Sequence, residues 1–193
     1  MKIIPICSES LGVRSLAVFV ETTDAKIFID PGAALGIRYG LEPSREEWNV
    51  LSYFKEKIRK IAGNCDILTI SHYHYDHYDP DEKFYEGKKV FAKDIKSNIN
   101  KSQYARGNQF KKIFEDKCDL IYCDEQNYKF GKTRIKFSKP FPHGETGTKL
   151  GFVLMTTIEE KIEENSGKKA ENFKILHTSD TGGAVDNESR DYI

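Results

Sequence analysis

The sequence is 193 residues long, with 30 basic and 30 acidic side chains that cancel to a formal net charge of zero, and with 38% hydrophobic residues. That length accommodates one domain with a sizeable core, and the balance of apolar and charged residues excludes a disordered chain. Zero net charge excludes any global electrostatic argument for a nucleic-acid or acidic partner.

The first twenty residues lack the pattern of a secretion signal, because the apolar run Ile3-Ile4-Pro5-Ile6-Cys7 is short and gives way at once to Ser8-Glu9-Ser10. No stretch reaches the length of a membrane span, so the expectation is a cytoplasmic protein with no membrane partner. Residues 2–7 read as a strand. Residues 15–21 and 26–30 are β-rich runs around Thr22-Thr23-Asp24-Ala25, a hairpin that Asp30-Pro31-Gly32 brings to a stop. A glycine-containing loop over 33–43 leads to Ser44, which has capping-box spacing to Glu47. Trp48, Leu51, Phe54, Ile58 and Ile61 follow at helical steps of three and four, up to a stop at Gly63.

Residues 65–70 form a continuous apolar run that suits a strand covered on both faces. Beyond it, 89–92 reads as a short strand and 94–114 as a polar helix broken or frayed near Gly107. Residues 120–123 and 133–137 read as strands, and 150–158 with 172–177 as a hairpin around a charged loop. Strands first, then strands mixed with helices, argue for a mixed α/β sandwich rather than a doubly wound parallel sheet. Cys7, Cys65, Cys118 and Cys123 form no Cys-x-x-Cys pair and read as buried, reduced thiols.

The chain has five histidines, and three of them stand within His72-Tyr73-His74-Tyr75-Asp76-His77, directly after the apolar run. On an extended segment His72, His74 and Asp76 share a face, whereas His77 needs a turn to join them. Three imidazoles and a carboxylate on a rigid strand end are a concentrated donor set for zinc or a similar borderline metal. The competing interpretation is a histidine-rich surface tract without function.

This hexapeptide matches the signature of the metallo-β-lactamase superfamily, which the chain resembles further in order and spacing. Asp30-Pro31-Gly32 looks like the first motif of that superfamily, His143-Gly144 like the third, and Asp180 like the fourth. Segments 39–43 and 98–103 resemble a mainly archaeal branch of hydrolase-like proteins within it. The resemblance implies an αββα sandwich, with one metal held by His72, His74 and His143 and a second by Asp76, His77 and Asp180. It implies two zinc ions, with iron or manganese as alternatives for the same donors. It also implies water acidified enough for hydrolysis near neutral pH, with Asp76 as the catalytic group that orients or deprotonates it. Asp30 fits either a turn cap or a residue that braces the ligand loop. His143 and Asp180 taken singly would read as ordinary loop residues, and His177 is expected to be structural.

Superfamily members usually supply a final histidine after the bridging aspartate. Here no histidine follows His177, and thirteen residues follow Asp180. The expectation is a single domain over 1–193 that lacks the last part of its second helical layer. Its second metal site would be incomplete, and an uncovered edge or face would favour self-association. The alternative is a complete protein with a depleted second site. The expected function is a metal-dependent hydrolase acting on an ester-like small molecule or a phosphodiester. Residues 88–117 carry nine basic and three acidic side chains, a local excess of six (9 − 3). They leave a nuclease as one alternative, although a solvated helix face is the simpler explanation of that charge. A catalytically inactive metal-binding interaction module is the other.

Overall fold

The computed structural model describes residues 1–162, 171–183, 185 and 187–193. Six strands form the first sheet: β1 (Lys2–Ser8), β2 (Leu16–Glu21), β3 (Lys26–Ile29), β4 (Ile67–Ile70), β5 (Lys89–Ala92) and β6 (Asp119–Tyr122), hydrogen-bonded in that order. The expected hairpin is β2–β3, closed by a reciprocal turn between Thr22 and Ala25. From β3 onward the neighbours run parallel, and parallel neighbours require crossover connections. Two of these crossovers contain long helices, α1 (Arg45–Gly63) and α2 (Lys101–Phe114).

Side-chain alternation along these strands builds two cores, one on each face. On β3, Phe28 faces the helices while Ile27 and Ile29 face the second sheet; on β5, Val90 and Ala92 face the helices and Phe91 the second sheet. The second sheet has the order β12 (Glu171–His177), β11 (Thr156–Ile162), β8 (Thr133–Phe137), β7 (Asn127–Phe130). Its inner face contributes Ile135, Phe137 and Ile158. The two-residue strands β9 (Phe141–Pro142) and β10 (Phe152–Val153) pair separately.

The layers are therefore helix, sheet, sheet, with a short terminal helix α3 (Asn187–Tyr192) where a fourth layer belongs. Lys136, Thr157, Lys174 and Leu176 of the outer sheet face line an open cavity of about 560 Å³ with Tyr192 and Ile193. This is the αββα order, with α3 the only helix of the outer layer among the described residues. No described helix is long and apolar enough to cross a membrane, and all four cysteines are free, with only Cys118 less than fully buried.

Several elements depart from the sequence expectation. The capping box at Ser44 is present: its side chain accepts from the Glu47 N–H and its own N–H donates to Glu47 Oε2. The buried stripe of α1, however, is Leu51, Phe54, Ile58 and Ala62. Trp48 is 48% exposed, and Gly63 is the last helical residue rather than the stop, with Asn64 as the cap. Helix α2 begins only at Lys101, where the Asn100 side chain caps it by accepting from the Gln103 N–H at 2.7 Å, while Asp124 holds the chain ahead of it through the Asp94 N–H at 2.7 Å. Nor does Gly107 break α2. A Cβ there would stand 2.5 Å from Ile95 Cγ2 and 2.9 Å from Tyr73 Cε2, so this glycine allows the helix to close on the Tyr73 ring. Strand β11 starts at Thr156 rather than 150, because Phe152 and Val153 pair with Pro142 and Phe141 instead. Strand β7 was not foreseen, and the charged loop expected between the last two strands lies outside the described residues.

Lys93, at the end of β5, has no solvent exposure, and its Nζ reaches Asp124 Oδ2 at 2.8 Å and the carbonyls of Asp94 and Ser97. Removing one partner of a buried pair leaves the other uncompensated. Lys93→Met is expected to destabilise the fold by about 3 kcal/mol in urea unfolding, the lower end of the range for such pairs because Asp124 keeps some access to water.

Candidate metal centre

The site lies where β4 leaves the buried sheet. Ile67 to Ile70 are all buried, so the chain that follows starts from a fixed point. Residues 71–77 are not extended. The His77 N–H donates to the His74 carbonyl at 2.9 Å, closing a turn. The shared face expected of His72, His74 and Asp76 is therefore corrected: the turn moves Asp76 away from the first two histidines and beside His77.

Two other stretches bring donors to this turn. Rigid Pro140-Phe141-Pro142, held by β9–β10 pairing and by the His143 N–H to the Gly151 carbonyl, presents His143. The loop that follows β12 presents Asp180. The result is two overlapping groups whose donor atoms lie within 4.8 Å of one another: His72, His74, His143 and Asp180, and Asp76, His77 and Asp180. Asp180 Oδ2 is the hub, 3.0 Å from His77 Nε2, 3.2 Å from His143 Nε2 and 3.9 Å from His72 Nε2. His72 Nε2 and His74 Nδ1 are 3.0 Å apart. Donors tetrahedrally arranged on zinc at ordinary bond lengths stand about 3.3 Å apart, so the spacing and the nitrogen–carboxylate chemistry both fit a divalent metal.

A layer beneath these groups fixes their ring orientations. Asp30 is fully buried and accepts from Ser71 N at 2.7 Å, Ser71 Oγ at 2.6 Å and His77 Nδ1 at 2.9 Å. Because the carboxylate only accepts, His77 carries a proton on Nδ1. Having donated its proton to Asp30, Ser71 Oγ accepts from His72 Nδ1 at 3.1 Å and from Ser179 Oγ at 2.7 Å. His72 Nε2 is thereby left with its lone pair facing the cluster. Of the two roles open to Asp30 in the sequence, the geometry matches the bracing one. Gly32 lies against the same turn: a Cβ there would stand 2.2 Å from the Tyr78 nitrogen, so a larger residue would push His77 out of place.

The electrostatics follow from this packing. Burial, reinforced by the His77 and His74 rings, holds His72 well below the usual histidine range. Burial and His143 push His74 down to about 4. Burial also opposes charge on His77, but Asp30 and Asp180 on its two sides outweigh it and raise the ring to about 10. For Asp180, burial opposes ionisation, yet hydrogen bonds from His143 and His77 outweigh it and hold the carboxyl far below the usual range. His72 and His74 are thus neutral at physiological pH and Asp180 ionised, the states a metal requires of its ligands, whereas His77 must give up its Nε2 proton before it can bind one.

The cluster opens onto a cavity of about 480 Å³ whose lining includes Arg14, Arg38, Asp76, His77, His143 and Asp180. Neither arginine carries a local sequence signal, since each is a lone cation in a loop far along the chain from the histidines. Ser71 and Ser179 were equally invisible, because their shared contact spans 108 positions. His177 stands apart from both donor groups and its Nε2 meets the Leu16 carbonyl at 2.9 Å. In the basic stretch, Lys88, Lys89, Lys93, Arg106, Lys111 and Lys117 all have partners within the chain. Arg106 also stacks on the Tyr75 ring at 4.5 Å, bracing the ligand turn from α2.

An αββα-ordered sandwich with an H-x-H-x-D-H turn at a strand end, joined by a histidine and an aspartate from later loops, is the metallo-β-lactamase fold that the sequence resemblance implied. No protein-family model matches the sequence. Its curated relatives include UPF0282 protein MJ1629 of Methanocaldococcus jannaschii, 46% identical over the whole of this chain and 67% of the relative. Another, UPF0282 protein PF0593 of Pyrococcus furiosus, is 45% identical over 94% of this chain and 60% of the relative. The chain belongs to the UPF0282 family, and it spans about 60–67% of the length of these two relatives. Among solved structures, a protein described as a possible metal-dependent hydrolase from Veillonella parvula is similar with a TM-score of 0.47 and 12% identity, over 90% of this chain and 65% of that one. The metallo-β-lactamase GOB-18 from Elizabethkingia meningoseptica gives 0.44 and 16%, over 91% and 60%. At these scores the fold assignment rests on the layers and topology described above.

Proposed function

We propose that the chain is a metal-dependent hydrolase of ester-like small molecules or phosphodiesters, with two metal ions held at the cluster. The observation that carries this reading is the meeting of six side chains from three separate stretches, 72–77, 143 and 180, in two groups that share Asp180. His72, His74 and His143 would hold the first ion and Asp76 and His77 the second, with Asp180 between them. Zinc suits these donors best, and iron or manganese would be accepted by the same set. Divalent metal at such a site acidifies water and polarises a carbonyl or phosphoryl group.

The protein's own part is placement and proton handling. Ser71 and Asp30 fix the rings of His72 and His77 so that both Nε2 atoms face the cluster. Asp76 borders the cavity, where its carboxylate can orient a water or take its proton. We place the protein in the cytoplasm, in keeping with its four unpaired thiols. We also read residues 1–193 as a single domain, with the second ion the more weakly held because its group has three donors against four.

Elemental analysis of the purified protein, metal titration, and assays on ester, thioester and phosphodiester substrates test this reading. The expected results are one tight and one weaker site, turnover on at least one substrate class, and a loss of roughly 100-fold or more in Asp76→Asn with unchanged circular dichroism. Absence of both metal and metal affinity would overturn the reading. Stoichiometric metal with no turnover would point instead to a binding module.

A further inference from the structure

The metal groups account for four of the titratable side chains that border the 480 Å³ cavity, and leave Glu9, Arg14 and Arg38. Glu9 and Arg38 pair with each other at 2.6 Å, both well exposed. Two cations less one anion leave a surplus of one positive charge, and it resides on Arg14. Resting on the hydrolase reading above, we propose that the substrate carries a negatively charged oxygen on or beside its reacting group, and that Arg14 is the side chain that receives it.

Arg14 is positioned for this before any ligand arrives. Its N–H and carbonyl both pair with Ala34, each at 3.0 Å, so the base of the side chain is fixed. Its side chain is 40% exposed, and Nη2 lies 3.2 Å from Asp76 Oδ2. That contact is an ion pair at one nitrogen of a guanidinium that carries five N–H donors. It also places the positive charge 3.2 Å from a carboxylate in the second donor group, where the reacting atoms would be. When Asp76 turns its charge to a metal, the guanidinium loses its balancing anion while remaining at the cavity wall. A neutral ester would leave that cation uncompensated. An oxyanion, phosphoryl or carboxylate, offers paired acceptors matched to the guanidinium fork.

Calorimetric titration of the metal-loaded protein with inorganic phosphate, and separately with acetate, tests the proposal, with metal content measured on every sample. Wild type is expected to bind at least one of the two, and the preferred anion distinguishes a phosphoryl from a carboxylate substrate. Arg14→Met is expected to weaken that binding by roughly tenfold to a hundredfold with metal content unchanged, the effect of losing a charge-assisted hydrogen bond. Arg14→Lys, which keeps the charge and the stem but not the fork, should fall between them, and it carries the test should the methionine variant not fold. Equal anion binding in wild type and both variants, or none in wild type, would overturn the role of Arg14 while retained metal leaves the hydrolase reading in place. Loss of metal from wild type itself would remove that reading and this proposal with it.

Discussion

Replacing Asp180 with alanine is expected to strip the chain of tightly bound metal and of hydrolytic activity while leaving the fold standing. Its Oδ2 belongs to both donor groups, so one substitution reduces the first from four donors to three and the second from three to two. Changes even to residues that only brace a ligand typically lower metal affinity by about 10- to 100-fold. Loss of a shared ligand is therefore expected to exceed about 100-fold at each group. The fold does not depend on this carboxylate to the same degree. Asp180 keeps 24% side-chain exposure, and His77 retains Asp30 on its other nitrogen. Elemental analysis after dialysis, read beside a thermal melt in chelator, checks both halves. A full metal complement in Asp180→Ala would remove this residue from the centre.

The site was more legible in the sequence than the fold around it, for a physical reason. Metal ligands must be His, Asp, Glu or Cys, and a strand end can present several of them in a few residues, so His72, His74, Asp76 and His77 announce themselves locally. His143 and Asp180 became readable only through their order relative to that motif. Asp30 was ambiguous because Asp-Pro-Gly is turn chemistry whether or not the carboxylate also braces a histidine. Arg14, Ser71 and Ser179 could not be found, because what makes them matter is a contact across the fold rather than a neighbour in the chain. The errors in secondary structure have the same origin. Asp124 holds the backbone at Asp94 ahead of the helix, and Gly107 is set by the ring of Tyr73 rather than by helix propensity. Trp48 fell on the right helical period, yet the fold leaves it 48% exposed.

The second large effect is expected at Asp30, and its sign on stability separates it from Asp180. Both carboxylates contact the same imidazole, Asp180 at Nε2 and Asp30 at Nδ1, but Asp30 has no solvent exposure and accepts two further hydrogen bonds from Ser71. Asp30→Ala would leave a buried backbone N–H, a hydroxyl and an imidazole without their acceptor. Breaking a buried, hydrogen-bonded charge pair in this way destabilises by about 3–5 kcal/mol. At roughly 2–4 °C per kcal/mol for a chain of this size, the melting temperature should fall by about 6–20 °C. Asp30→Asn keeps the volume and one acceptor oxygen for Ser71, and should fall between alanine and wild type. The loss must persist in chelator, because the hydrogen bonds broken are present without metal. A metal-free Asp30→Ala protein that melts with wild type would mean that Asp30 acts only through the metals, and that the turn carrying His72 to His77 is held by Gly32, Tyr73 and Arg106 alone.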